Sequence, residues 1–579
     1  MKNTILIALF LISSLSFETD WFDYFKSDYF ISATTGNDVN DGKAPWKAWR
    51  TLEKVNASAF SAGDRIAFKS GDTWTGTLLV GQSGIDKKPI TYKSYGSGAK
   101  PVISGFTTIT GWTNEGGGVY SKTLTVESNP DIVTINGVQY AMGRTPNSDR
   151  YNPQYSDYYH IDSFSGTTQI TDSECNASIT NWIGAEMVVK VSNHVEWGKY
   201  PVTNHSGTTL TFTNSNNNPN AAGFGYFIQN DLRTLDRFGE WYYGGGKFYM
   251  HFGAANPINY TVNVSTKNTL LNIDNKSFIT IKNLKFEGAN EMAVRTRLWP
   301  YSTNNTIDNC GFDFNKEAIW LNITRNAEVT NNVIKRSSRM GLYCHFQVDG
   351  AYVANNTVDS TGLVIGAGLE TGPNFESGVG LTITYAGLDY STKKVIIEKN
   401  KVYNSGYMGI SFSGDSAIVR QNYVDKFGLN KSDGGGIYYG GQNNFSGMSI
   451  DHNIVLNGAA NDDADGLPAG VTNSALYNIY VDHLSTEGTT VTNNTVAHTT
   501  GGGIFIHGGQ NVVIENNTAY NCGRGVVFSQ YRTEGIIRDI EMKNNIIVAA
   551  LPEQLIMWAR STTNDFNQYG TFTNNYYAK

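Results

Sequence analysis

The sequence predicts an all-β chain folded as a right-handed parallel β-helix, with an N-terminal capping segment and a β-rich inserted region. A short phrase containing Asn recurs through the C-terminal half, as in EVTNNVI, YVANNTV, SIDHNIV and TVTNNTV. Each phrase alternates apolar and polar residues, which is a strand pattern of period two. Most repeats are separated by about one rung of a solenoid, the spacing at which internal repeats indicate stacked supersecondary units.

The repeated Asn predicts the turn that ends each short strand. It occupies nine positions: Asn309, Asn332, Asn356, Asn400, Asn422, Asn453, Asn494, Asn517 and Asn545. Asn tolerates the left-handed backbone region and bonds its own backbone, so it suits a tight turn. We therefore interpret this column as structural.

Four segments are predicted along the chain. Residues 1–16 (MKNTILIALFLISSLS) carry an early Lys, an apolar run and small residues, which is typical of a signal peptide and predicts a secreted or periplasmic protein. Residues 20–105 are predicted to form a cap and the first coils, with a short helix at Trp49–Val55. Residues 106–266 lack the Asn phrase and are interpreted as an inserted or packed β-rich subdomain ending in a hairpin at Gly239–Gly253. Residues 267–579 are predicted to form regular coils.

The composition limits the kinds of partner and cofactor that the chain is expected to bind. The net charge of −7 argues against a surface that binds nucleic acid. No second long apolar segment follows residues 1–16, so we do not expect the mature protein to associate with a membrane. Four Cys without C-x-x-C spacing argue against a zinc site, and Cys344 is predicted to pack inward as an apolar residue. No nucleotide, flavin or haem motif is evident, so we expect no cofactor, and we expect a monomer.

Several segments resemble a known group of enzymes. The opening ATTGNDVNDGKAPWKAWRTLEK, the following SGDTWTGTLLV and KPITYKSYGSGAKPVISG, and the later NGVQYAMGRTPN, GEWYYGGGKFYM and KSDGGGIYYGG carry the resemblance. They are similar to secreted bacterial β-helix enzymes acting on polysaccharides, in particular the family 141-type and fucanase-type glycoside hydrolases. The resemblance extends from about Tyr29 onward. It implies hydrolysis of a plant or algal polysaccharide, such as a sulfated fucan, a fucoside or a xylan, although similar openings occur in polysaccharide lyases.

A second short strand follows each Asn phrase, and its alternation predicts two outward columns. The first column is Trp320, Tyr343, Thr382, Ser411, Tyr438, Tyr480, Phe505 and Val527; the second is Asn322, His345, Thr384, Ser413, Gly440, Asp482, His507 and Ser529. An exposed aromatic shelf beside polar groups is typical of a ligand groove. We therefore predict that Trp320, Asn322, Tyr343, His345, Tyr438, Tyr480 and His507 bind substrate. The alternative is that another segment covers this face.

Glycoside hydrolysis needs two carboxyl groups, and three candidates lie near this face. Asp433 begins SDGGGIYYGG, where glycines are expected to let a sugar approach closely. Glu376 precedes the strand two rungs earlier, which predicts a separation of about 9–10 Å from Asp433. Asp482 is one rung from His507, so the two are predicted to pair. For each acid the alternative is a turn or capping role.

Two long loops are expected to wall the groove. They carry Glu370, Asp462, Asp463 and Asp465, for which a solvated acidic loop is the favoured interpretation and a structural calcium site is the alternative. Two further function classes stay open. A polysaccharide lyase would use His345, His507, Arg339 and Tyr438 as base and charge-neutralising groups. A non-catalytic solenoid would bind carbohydrate without needing either carboxyl group.

Overall fold

The structure, a computed structural model, describes residues 29–147, 158–191, 195–213, 221–297, 299–370, 372–373, 377–384, 394–440, 445–462, 464–467, 475–485, 488–530 and 535–579. The chain forms the predicted right-handed parallel β-helix. A complete coil contributes backbone to each of three faces. The predicted signal peptide lies outside the described residues. Within the described residues, no helix is both long and apolar enough to cross a bilayer.

In the described part of the chain, the first face is a parallel sheet of fourteen strands. They are Tyr29–Ile31, Arg65–Lys69, Ile90–Tyr95, Ile279–Lys282, Thr306–Asp308, Glu328–Thr330, Tyr352–Ala354, Ile396–Glu398, Ile418–Arg420, Ser449–Asp451, Thr490–Thr492, Val513–Glu515, Ile540–Lys543 and Gly570–Thr573. The second face follows the Asn turn. Its strands are Thr73–Thr75, Val102–Ser104, Lys285–Glu287, Gly311–Asp313, Val333–Lys335, Thr357–Thr361, Lys401–Ser405, Tyr423–Phe427, Ile454–Gly458, Ile546–Val548 and Tyr576–Ala578.

The third face carries the predicted outward columns. Its strands are Leu78–Leu79, Lys267–Asn272, Ala289–Thr296, Glu317–Leu321, Met340–Cys344, Leu381–Ile383, Ile410–Phe412, Gly434–Gly440, Leu476–Ser485 and Leu555–Arg560. Two long strands, Thr495–Gln510 and Thr518–Ser529, run through both the second and third faces, and Ile537–Arg538 pairs with the end of the first of them. Three short strands, Ser302–Thr303, Thr324–Arg325 and Val348–Asp349, pair separately.

The core is built from apolar residues that occupy the same position in successive rungs. On the third face these are Ile319, Leu342, Leu381, Ile410 and Ile437, which pair in register and are fully buried. Alternation along each strand sends one set of side chains inward and the other outward. Cys344 is buried in this core as predicted, and burial raises the pKa of its thiol.

A helix at Leu52–Asn56 lies at the N-terminal end of this core. The Thr51 hydroxyl accepts a hydrogen bond from the Lys54 amide at 3.1 Å, so the helix begins later than predicted, after this cap. Leu52 and Val55 are buried in the main core cluster. The helix therefore covers apolar residues that an open solenoid end would expose. Short 3₁₀ helices occur at Pro45–Lys47, Leu232–Thr234, Pro257–Asn259 and Phe566–Gln568.

The repeated Asn side chains form a continuous hydrogen-bonded ladder along the turn between the first two faces. In each rung the Oδ1 atom accepts from the backbone amide and Nδ2 of the preceding rung, as between Asn422 and Asn400 at 3.0 and 3.1 Å. The ladder comprises Asn332, Asn356, Asn400, Asn422, Asn453, Asn494, Asn517, Asn545 and Asn575. The structural role predicted for the column is confirmed.

Two details of the turn differ from the prediction. The ladder position in the first phrase is held by Cys310, whose amide donates to Asn332, so Asn309 is outside the ladder. The left-handed residue is the one that precedes each ladder Asn, for example Gln421 with φ 55°. The reason is that the ladder Asn must bury its amide between rungs, while its neighbour makes the bend.

The β-rich region leaves and re-enters the β-helix at adjacent points, since the Thr266 amide donates to the Gly105 carbonyl at 2.9 Å. Its strands are antiparallel and form three sheets. One contains Phe106–Thr108, Val133–Ile135, Val138–Tyr140 and Val262–Ser265; another contains Thr113–Gly116, Val119–Thr123 and the predicted hairpin Trp241–Gly244 and Lys247–His251. The third contains Arg144–Thr145, Tyr159–His160, Ser163–Ser165, Gln169–Thr171, Glu186–Lys190, Trp197–Ser206, Thr209–Phe212 and Gly225–Gln229, joined by Gly372–Pro373.

A buried ion pair fastens these inserted sheets to the loops of the β-helix. Lys190 Nζ lies 3.3 Å from Asp465, with side chains 0% and 1% exposed, and donates to the Asn430 carbonyl at 2.9 Å. The Trp197 indole donates to the same carbonyl at 3.0 Å. The long loop that carries Asp465 is therefore packed against the insertion.

Replacing Lys190 with Ala is expected to lower the free energy of unfolding by about 3 kcal/mol, because Asp465 is left as an uncompensated buried charge. Chemical denaturation followed by tryptophan fluorescence would measure the loss. The double variant Lys190→Met/Asp465→Leu removes both charges and should retain most of the stability. A single variant as stable as the wild type would contradict this role for the ion pair.

Candidate functional site

The third face forms the floor of the candidate site, and its register matches both predicted columns. Trp320 pairs with Tyr343, and the column continues through Thr382, Ser411, Tyr438, Tyr480, Phe505 and Val527. In the second column Gly440 pairs with Asp482, Asp482 with His507, and His507 with Ser529. The alternation of the sequence therefore predicts correctly which side chains share this face.

The expectation of an exposed aromatic shelf is wrong for much of the first column. Tyr343 and Tyr480 are each only 4% exposed. Tyr480 packs face to face on Phe505 at 4.5 Å between ring centroids, and Val195 of the insertion belongs to the same buried cluster as Tyr343. Trp320 and Tyr438 keep partial exposure. The insertion thus covers the N-terminal part of the floor, which the sequence analysis held as the alternative.

Asp482 lies at the centre of a hydrogen-bonded polar group on this floor. Its Oδ2 atom accepts a hydrogen bond from the Tyr438 hydroxyl at 2.7 Å, and its Oδ1 atom lies 2.7 Å from His507 Nδ1. The predicted pairing of Asp482 with His507 is confirmed. Because an ionised carboxylate only accepts hydrogen bonds, this contact requires a proton on His507 Nδ1.

Asp433 acts on the same aromatic group as Asp482. Burial raises the pKa of Tyr480 well above its usual range, and the negative charges of Asp482 and Asp433 raise it further. Burial is also the main cause that raises the pKa of Tyr438, with Asp482 next and Asp433 contributing. Burial raises the pKa of Tyr477 to about 12, where Arg524 opposes the two carboxylates. These tyrosines therefore keep their protons at neutral pH and serve as hydrogen-bond donors.

The glycines after Asp433 have a packing role that the sequence analysis did not predict. A Cβ on Gly434 would lie 2.8 Å from the Tyr407 ring, and one on Gly436 would lie 2.3 Å from Val455. Both glycines are buried. Asp433 itself is exposed, with φ 56°, and its carbonyl accepts from the Tyr407 hydroxyl at 2.9 Å. The glycines therefore let neighbouring rungs pack closely, and the close approach of a sugar stays a prediction.

The other predicted residues are distributed along the face. His345 Nδ1 lies 2.5 Å from Thr384 Oγ1, and the His345 amide donates to Asn322 Oδ1 at 3.2 Å. His345 is five rungs from His507 in the same column, which corresponds to about 24 Å. Glu376 lies outside the described residues, so its predicted separation from Asp433 stays a prediction.

The acidic loops are engaged with the protein in the described part of the chain. Asp465 is buried against Lys190, so the solvated-loop interpretation is wrong for this residue. Glu370 lies 3.7 Å from Lys316 and 3.4 Å from Arg339. Asp463 is outside the described residues. Among those that are described, no three His, Cys, Asp or Glu side chains are grouped to hold a metal ion.

Glu317 is a buried carboxyl near these loops that the sequence analysis did not single out. Its Oε1 atom accepts from Arg339 Nη1 at 2.6 Å. Burial raises the pKa of Glu317 to about 7 against the lowering effect of Arg339 and Lys316. Arg339, a candidate for neutralising a substrate carboxylate, is thus committed to an internal ion pair.

The raised pKa of Glu317 predicts a pH-dependent stability. The Glu317 carboxyl group holds its proton more tightly in the folded state than in the unfolded state. The contribution of this group to the free energy of unfolding is therefore complete below about pH 4.5 and is lost as the pH rises through 7. The free energy of unfolding of the wild type should fall between pH 4.5 and 7.5. In Glu317→Gln this fall should be smaller by about 3 kcal/mol. Denaturation at several pH values would measure it, with the exposed Glu328→Gln as control. Parallel profiles for wild type and Glu317→Gln would contradict the prediction.

Three residues near the floor were missed by sequence reasoning. Tyr477 pairs with Gly435 and Gly502 in the adjoining rungs. A Tyr opposite glycines in both neighbouring rungs is a pattern that could have indicated this residue once the rungs were aligned. Tyr407 precedes its strand and bonds the Asp433 carbonyl. Glu196 belongs to the insertion and adds to the rise of the Tyr407 pKa, whose main cause is burial. No local pattern places Glu196 here.

Comparisons with known proteins agree with this architecture. The family model described as right handed beta helix region matches residues 454–576. No curated protein sequence matches the chain. A solved structure described as a glycoside hydrolase is similar, with a TM-score of 0.50 and 13% identity over 93% of this chain and 97% of that chain. At this identity the likeness shows the fold alone.

Two other solved structures are similar at lower scores. XylC, determined in complex with xylose, gives a TM-score of 0.49 and 12% identity, covering 95% of this chain and 86% of that one. A GH136 lacto-N-biosidase from Eubacterium ramulus gives 0.41 and 12%, covering 95% and 67%.

Proposed function

We propose that this protein is a glycoside hydrolase that cleaves a plant or algal polysaccharide on the third face of the β-helix. The observation that carries the proposal is the Asp482 carboxylate, which Tyr438 and His507 hold on this floor, together with Asp433 at the start of the strand that pairs with the Asp482 strand. Two carboxyl groups beside one substrate are what acid- and base-assisted glycosidic cleavage requires. The proposal includes the resemblance to family 141-type and fucanase-type glycoside hydrolases. The proposed substrates are a sulfated fucan, a fucoside or a xylan.

Within this proposal Asp482 is the base or nucleophile. Both of its oxygens accept hydrogen bonds, from Tyr438 and from His507, which fixes the carboxylate in one orientation. Asp433, which is exposed at the start of its strand, is assigned the remaining role, that of the acid that protonates the leaving oxygen. Glu376 is the alternative acid. Trp320, Asn322, Tyr343, His345 and Tyr480 bind or shape the substrate path, and the protein acts as an exported monomer.

A lyase reaction is less well supported by the same geometry. Arg339 is paired with Glu317, and the raised pKa of Tyr438 makes its hydroxyl a poor base at neutral pH. His345 is about 24 Å from His507 along the rungs, so the two imidazoles do not serve one reacting carbon.

The test is to incubate the mature chain with fucan, xylan, pectin and alginate while following new reducing ends and the absorbance of unsaturated uronates. Reducing ends without that absorbance would support hydrolysis. Both signals together would establish elimination and overturn the carboxylate assignment. Binding without cleavage, unchanged in Asp433→Asn and Asp482→Asn, would favour the non-catalytic solenoid.

A further inference from the structure

A second recess lies away from the Asp482 floor, between the inserted sheets and the coils. It is a cavity of about 370 Å³. Glu291 and Lys316 line it from the β-helix, while Glu186, Lys199 and Tyr243 line it from the insertion. Ligand pockets commonly range from about 300 to 1,000 Å³, so the volume suits a ligand of one or two sugar rings.

Apolar packing separates this cavity from Asp433. Leu369 lines the cavity and packs with Trp197 in one buried cluster. Val195, two residues before Trp197, belongs to a second buried cluster with Tyr407, whose hydroxyl donates to the Asp433 carbonyl. A ligand in the cavity therefore does not touch the carboxylates of the proposed catalytic floor.

The lining favours a neutral ligand that both donates and accepts hydrogen bonds. Four carboxylates, on Asp131, Glu186, Glu291 and Glu370, face two ammonium groups, on Lys199 and Lys316. The excess of negative charge disfavours a sulfate or uronate, and a lysine on each wall disfavours a cation. Asp131 is already occupied, since it accepts from Ser338 Oγ and the Gly368 amide, both at 2.6 Å.

The remaining groups complement sugar hydroxyls. Carboxylates accept from hydroxyls and lysines donate to them, while the partly exposed Tyr140 and Tyr243 rings offer apolar surface to the C–H face of a pyranose. Lys316 and Glu370 are 3.7 Å apart, which places a donor and an acceptor side by side. Adjacent hydroxyls on one sugar ring present the complementary pair.

We propose that this cavity is a non-catalytic subsite for a neutral saccharide, separate from the Asp433–Asp482 floor. The saccharide class rests on the proposed function. The subsite would hold an uncharged unit of the polymer or of one of its branches while the floor binds the bond to be cleaved.

Isothermal titration calorimetry with the Asp482→Asn variant tests this proposal, because it measures saccharide binding without cleavage. The probes are neutral xylo-, gluco-, manno- and galacto-disaccharides, with an alginate disaccharide and a sulfated fucose disaccharide as charged counterparts. At least one neutral probe is expected to bind. Glu291→Gln and Lys199→Met, on opposite walls, should each weaken that binding about tenfold, because each removes a hydrogen bond to a charged group.

The matched control is Glu328→Gln, the same change at an exposed position on the first face, which should leave binding unchanged. Melting temperatures identify any variant that fails to fold. Three results would overturn the subsite. They are no binding of any neutral probe, equal binding by both cavity variants and the control, and a preference for the charged probes. Cavity-dependent binding without any hydrolysis by the wild type would instead retain the subsite and reject the proposed hydrolase.

Discussion

Replacing Asp482 with Asn is expected to lower kcat on the natural polysaccharide by about 10²- to 10⁴-fold, the range for loss of a positioned acid or base. An amide offers one acceptor oxygen where the carboxylate offers two. It cannot accept from both Tyr438 and His507 in the present arrangement. It also cannot take up a proton or attack the sugar. Initial rates of reducing-end release at several substrate concentrations would separate kcat from KM.

Two further variants distinguish chemistry from folding. Asp86→Asn makes the same change in an exposed loop and should leave both constants unchanged. Tyr438→Phe keeps the ring and removes one donor to Asp482, so a loss of about tenfold in kcat is expected. If Asp482→Asn retained kcat within a factor of two and the melting temperature were unchanged, catalysis would have to lie elsewhere, with Glu376 as the next carboxyl group to replace.

The floor of the site was predictable because it depends on local alternation. Once the apolar residues Ile437 and Ile479 are placed inward, Tyr438 and Tyr480 must face outward and Asp482 must follow on the same face. The neighbouring rung then brings His507 beside Asp482. Period-two patterning and a constant rung spacing are sufficient for this step, which is why both columns match the structure.

What covers the floor was not predictable from the same pattern. Val195 joins the buried cluster of Tyr343, and Lys190 pairs with Asp465, although in both cases the residues are far apart in the chain. Such contacts depend on how the inserted sheets pack as bodies, and no periodicity encodes that. The position of Cys310 in the Asn ladder shows a related limit, because a phrase can keep its spacing while another residue occupies the buried position.

Replacing Asn422 with Ala is expected to lower the free energy of unfolding by about 4 kcal/mol. The Asn422 Oδ1 atom accepts from the Asn400 backbone amide at 3.0 Å, and its Nδ2 atom donates to the Ile397 carbonyl at 2.9 Å. Alanine leaves the buried Asn400 amide without this acceptor, at about 1–3 kcal/mol, and also removes the bond to the Ile397 carbonyl and two side-chain bonds along the ladder. Denaturant titration, with hydrogen exchange to localise the opened rungs, would measure the effect.

The position of the substitution in the ladder determines its effect. Gln421→Gly changes the residue beside Asn422, but Gln421 has φ 55° and glycine adopts that conformation without strain, so stability should change by less than about 1 kcal/mol. Asn575→Ala lies at the last rung, where the ladder bond to Asn545 is only part-buried, and should be milder than Asn422→Ala. Because each rung of a solenoid contacts mainly its neighbours, exchange in Asn422→Ala should rise first in the rungs of Asn400 and Asn453. Equal losses for Asn422→Ala and Asn575→Ala, or exchange rising evenly along the chain, would mean that the ladder does not carry stability rung by rung.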